Sequence, residues 1–129
     1  MDQLIQVRGP EFASWVRGCI NSKEWFLPPP QSPAEVERRW GISDPLDKAW
    51  ALSHVTPQPT AAFAQPLRIS GLETNPFPRS FIMSSHSGFD PVAAIAQESG
   101  WEQYHIDTGH DQMITTPEKV AEILLKIGG

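Results

Sequence analysis

The chain has 129 residues, 40% of them hydrophobic and 19% charged, with a net charge of −5. This composition is that of a folded domain with a modest core, not of a disordered segment. The acidic balance excludes nucleic acid and anionic membrane surfaces as partners, because both reward clustered Lys and Arg.

The single cysteine, Cys19, excludes an internal disulfide. With no signal peptide and no apolar run of membrane-spanning length, a cytoplasmic location is expected. Thirteen prolines, about double the usual share, concentrate in Pro28-Pro29-Pro30, Pro57 to Pro66 and Pro76-Pro78. The first 80 or so residues are therefore expected to be rich in loops.

Gly9-Pro10 opens the first predicted helix, with Phe12, Trp15, Val16 and Cys19 recurring at helical spacing as its apolar stripe. On that stripe Cys19 reads as a small core residue, not a nucleophile. Trp25-Phe26-Leu27 is an extended segment that runs into three prolines. Ser32-Pro33-Ala34-Glu35 has the pattern of an N-cap with Glu at the third helical position, and this helix should stop near Trp40-Gly41. Ser43-Asp44-Pro45 repeats the start signal for a helix to about His54, carrying Leu46, Trp50 and Val55.

Beyond Pro66 the pattern changes. Leu67-Arg68-Ile69 is a short extended piece and Ser80-Phe81-Ile82-Met83 a buried type of strand. Asp90-Pro91 caps a helix through Ser99, Gly100 ends it, and Trp101 to Ile106 forms the next strand. There Tyr104 and Ile106 share one face, Gln103 and His105 the other. Thr115-Thr116-Pro117-Glu118 starts a last helix with the stripe Val120, Ile123, Leu124 and Ile127. A strand, a helix and a strand in this order predict a parallel βαβ unit. Such a pair is stable only inside a larger covered sheet. The apolar strand around Phe81-Ile82 is therefore expected to need a partner on its open edge, and a second copy across a two-fold axis would supply one.

Between the last strand and the last helix stands Asp107-Thr108-Gly109-His110-Asp111-Gln112-Met113, a tight turn that displays His110 at the end of a sheet. Asp111, next to it, reads as a turn or capping residue. The block from Trp101 to Leu125 resembles the end of an α/β-hydrolase, in its small esterase and hydroxynitrile-lyase-like branch. Asp44 to Trp50 and His54 to Leu67 are similar to the cap segment of that branch, and Gly88-Phe89-Asp90-Pro91 to its penultimate loop and helix.

The resemblance implies a partial α/β-hydrolase fold. Residues 1–64 would be a helical, Pro-rich cap or lid, and residues 65–129 the C-terminal part of the core. It also implies that His110 is the general base of an esterase-type serine hydrolase, with Asp90 the candidate for the acid that orients it. Trp25, Phe26 and Trp50 become candidate substrate-binding residues under the cap. The expected ligand is a small-molecule ester or acyl compound, and no cofactor or metal is implied. The spacing of His86, His105 and His110 is not that of a zinc site.

The departure from the family lies in what it requires upstream. No serine here has glycine two residues away on both sides, so the Gly-x-Ser-x-Gly nucleophile elbow is missing, as is the oxyanion loop. The chain is expected to be inactive alone and to need a complementing N-terminal half. The alternative is a non-catalytic binding or dimerisation module derived from a hydrolase.

Overall fold

The computed structural model describes residues 9–65 and 76–129. The predicted extended piece at Leu67-Arg68-Ile69 lies outside them. Among the described residues the chain is mixed α/β, with seven helices and two small sheets. They divide into two compact units. One is drawn from positions 1–28 and 57–79, the other from 29–56 and 80–129.

In the first unit, α1 (Pro10–Asn21) buries Ala13, Val16 and Cys19; of the expected stripe Val16 and Cys19 are buried, and Phe12 and Trp15 half-buried. Val16 and Cys19 meet Leu27, and Phe12, Trp15, Ile20 and Phe63 pack around them. Phe12 makes edge-to-face contacts with Trp15 and with Phe63, both at 5.6 Å between ring centres, the geometry that aromatic quadrupoles favour. Strand β1 (Phe26–Leu27) pairs antiparallel with β2 (Gln58–Pro59), two residues on each side. Buried Thr60 fastens the return of the chain, its amide donating to the Trp25 carbonyl and its hydroxyl to the Glu24 carbonyl. The short helix α4 (Ala61–Ala64) follows and brings in Phe63.

In the second unit the caps at Ser32 and Asp44 form as expected, whereas Thr116, ahead of the last helix, makes no side-chain cap. The Ser32 side chain accepts from the Glu35 amide to start α2 (Pro33–Trp40). Asp44 accepts from the Leu46 and Asp47 amides to start α3 (Pro45–His54). The two helices enclose Val36, Ile42 and Ala51, all almost fully buried, with Trp40, Leu52 and Ile114 around them.

Strands β3 (Ser80–His86) and β4 (Glu102–Gly109) pair in parallel, from Ser80 opposite Glu102 to Ser84 opposite Ile106. Helix α5 (Asp90–Glu98) connects them and packs on both. The predicted strand–helix–strand order is thus present, with β4 running on to Gly109. Short α6 (Gln112–Thr115) and then α7 (Pro117–Gly128) close the chain.

Two features leave this unit under-covered. Each of β3 and β4 has a single partner among the described residues, although parallel pairs are otherwise found covered and embedded. Phe81, Ile82 and Met83 are only half-buried. Helix α7 forms where its start signal placed it, but it buries no residue, and Leu124 and Leu125 are 56% and 75% exposed. No helix of the described residues is long and apolar enough to cross a membrane.

Candidate functional site

The turn at His110 is held from three sides. Strand β4 ends at Gly109, whose backbone lies directly against that of Gly41, the left-handed residue (φ 72°) that terminates α2. The next amide but one, that of Asp111, donates to the carbonyl of Trp40 at 3.4 Å. Thr108 and Thr115 share a hydroxyl–hydroxyl bond of 2.6 Å that ties the end of β4 to α6. From α6, the Gln112 carboxamide donates to the Ile82 carbonyl on β3, while its own oxygen is buried with no hydrogen-bond partner.

Onto this frame His110 places its ring, half-buried and stacked on Phe89 at 5.2 Å with 18° between the planes. Phe89 is the N-cap position of α5, and it closes the loop that leaves β3. A His at the carboxyl end of one parallel strand is therefore clamped by an aromatic ring from the loop after the other.

Asp111 follows at once. It occupies the N-cap position of α6 without making a side-chain cap. It lines a cleft of about 320 Å³ with Trp40, Trp50, Ala51, His54, Val55 and Ile114. Burial raises its carboxyl above the ordinary value, an effect tempered by His110 beside it. On α3 the Trp50 and His54 rings stack at 4.4 Å, and His54 Nδ1 lies 2.8 Å from the Trp50 carbonyl. Of the residues expected to touch substrate, Trp50 thus stands in the cleft that adjoins the His110 turn.

The other expected residues are placed elsewhere. Trp25 and Phe26 belong to the first unit and are 75% and 54% exposed. Asp90, read as the cap, is instead the first residue of α5, with Phe89 at the N-cap position. It lines a second cleft, of about 360 Å³, under α5 with Met83, Gln97 and His105. In that region His105, exposed as its strand position predicts, lies 3.2 Å through Nε2 from the Ser85 hydroxyl. At the strand ends His86 lies 3.8 Å from Asp107, both exposed. No group of three or more metal-binding side chains occurs among the described residues.

Two members of the site are not evident from sequence. Gly41 is legible as a helix stop, but its contact with Gly109, 68 positions on, carries no local signal. Asp111 sits at the turn as expected and makes no cap. Its role as a cleft wall depends on burial beside Trp40 and Ile114, which only tertiary packing supplies. No protein-family model, curated protein or solved structure matches the chain.

Proposed function

We propose that this chain is the C-terminal portion of an α/β-hydrolase-type serine hydrolase, with His110 as its general base and a small ester or acyl compound as its substrate. The observation that carries the reading is the placement of His110 at the carboxyl end of β4, its ring stacked on Phe89 from the loop after β3. In this chemistry His110 takes the proton from a serine hydroxyl as that oxygen attacks the acyl carbon. It returns the proton to the departing alcohol, and the same cycle with water frees the acid. Asp90, next to Phe89 in the chain, is the candidate to orient the imidazole. The exposed indole of Trp50 is the candidate apolar wall for an acyl or alcohol group.

The nucleophile and oxyanion donors come from a complementing segment. Supporting this are the single-partner strands β3 and β4 and the buried, unsatisfied oxygen of Gln112, whose amide reaches Ile82. The test is hydrolysis of p-nitrophenyl butyrate by the chain alone and co-expressed with the reading frame upstream of it. The expected result is no His110-dependent hydrolysis alone, and hydrolysis in the complemented pair that disappears in His110→Ala. Hydrolysis by the chain alone that vanishes in His110→Ala overturns the need for a second segment.

The open edges of β3 and β4 also favour a second reading, a non-catalytic module that repairs its sheet by homodimerisation. Sedimentation equilibrium decides it, since a cooperatively folded strict monomer rules it out.

A further inference from the structure

Trp40, Trp50 and Asp111 converge on one cleft at the junction of α2, α3 and α6, with Ile114 and His54 among its other walls. No lysine or arginine is among the residues that line it. The Trp50 indole stacks on His54 at 4.4 Å and keeps 53% of its surface exposed, which leaves part of the ring open to a ligand. We propose that this cleft binds a small alkylated ammonium ion, held by cation–π contact with the two indoles and by the Asp111 carboxylate.

The walls argue against the other ligand classes. An anion would meet Asp111 with the same sign, in a chain whose net charge is already −5. A neutral apolar ligand would strip water from that carboxylate and return nothing for it. A cation does the reverse, and the partial burial that already raises the Asp111 carboxyl makes pairing worth more there than at an open surface. Indole is the ring that cations favour most, and alkylated ammonium ions are the usual occupants of aromatic cages. At about 320 Å³ the cleft lies at the small end of ligand sites, which span roughly 300–1,000 Å³. This inference does not rest on the hydrolase reading, because binding requires neither nucleophile nor base.

The test is calorimetric titration of the chain with choline and with its neutral carbon isostere, in which a tert-butyl group replaces trimethylammonium. Choline is expected to bind roughly tenfold or more tightly than the isostere. Asp111→Asn should remove most of that preference, and Trp50→Ala, on an exposed helix face, should weaken choline several-fold. Equal affinity for the two probes overturns the proposal, as does the absence of saturable binding by either. That comparison uses the unaltered protein, so it decides the matter even where a variant misfolds. Neither probe carries an ester, so the result is separate from the hydrolysis experiment.

Discussion

Gly41 and Gly109 meet backbone to backbone. A Cβ on Gly41 would lie 2.7 Å from the Cα of Gly109, and one on Gly109 would lie 2.7 Å from the Cα of Gly41. Through this contact the end of α2 sets the position of the His110 turn. Gly41 carries a second constraint, its φ of 72°, where a side chain costs about 1–2 kcal/mol on conformational grounds alone. Gly41→Ala adds overpacking of about 1–3 kcal/mol to that cost. Gly100→Ala is the control, since Gly100 has a φ of 75° and open space around its Cα. Urea denaturation should therefore rank Gly41→Ala well below Gly100→Ala. Equal losses would mean that the two backbones do not touch in solution.

That contact marks the limit of what can be read from the residues in order. Ser32, Asp44 and Gly41 announce their helix boundaries because caps and left-handed stops are chemistry within one turn of chain. Strands β3 and β4 are legible from short apolar and alternating runs bounded by turn residues, and their parallel pairing from the helix between them. The β1–β2 bridge is not, since Leu27 and Gln58 pair with nothing local to signal it. Nor can the stripe on α7 reveal whether anything covers it, because periodicity names the face and not its partner. For the candidate site, the turn displaying His110 is legible, whereas the Phe89 stack and the Asp111 cleft arise from long-range packing.

Asp111 gives a pH signature with a definite sign. Its folded carboxyl is raised by burial, and His110 offsets only part of that effect. The folded state therefore holds its proton more tightly than the unfolded state does. The resulting stabilisation is complete below the ordinary carboxylate range and is lost as pH rises through the raised value. Asp111→Asn should remove this slope. At neutral pH it should stabilise the chain by on the order of 0.5 kcal/mol, a small figure because solvent screens a half-exposed carboxyl. No cap is lost, since Asp111 makes none. Thermal melts of both proteins between acid and neutral pH measure the difference. A variant that loses stability at neutral pH would show that the carboxylate has a partner in the folded protein.

Cys19 reports on the first unit separately. Burial and the neighbouring Glu24 both raise its thiol, and 6% exposure leaves little access to a reagent. Reaction with Ellman's reagent at neutral pH should be slower than in the urea-unfolded chain by on the order of 100-fold or more, because it waits on local opening. Rapid reaction in native buffer would mean that the cluster of Val16, Cys19 and Leu27 opens readily.

Two truncations distinguish the exposed face of α7 from the core. Ile42 is 0% exposed in the cluster with Val36 and Ala51, whereas Leu125 on α7 is 75% exposed. Ile42→Ala should therefore cost about 2–5 kcal/mol through lost burial and the cavity left behind. Leu125→Ala should change stability by no more than about 0.5 kcal/mol, as surface substitutions do. Both are read by denaturation at low and at high protein concentration. If Leu125→Ala becomes costly only at high concentration, α7 is an interface between copies, and the dimer reading gains. If it stays neutral at every concentration, no second copy covers Leu125, and the dimer reading loses α7 as its interface.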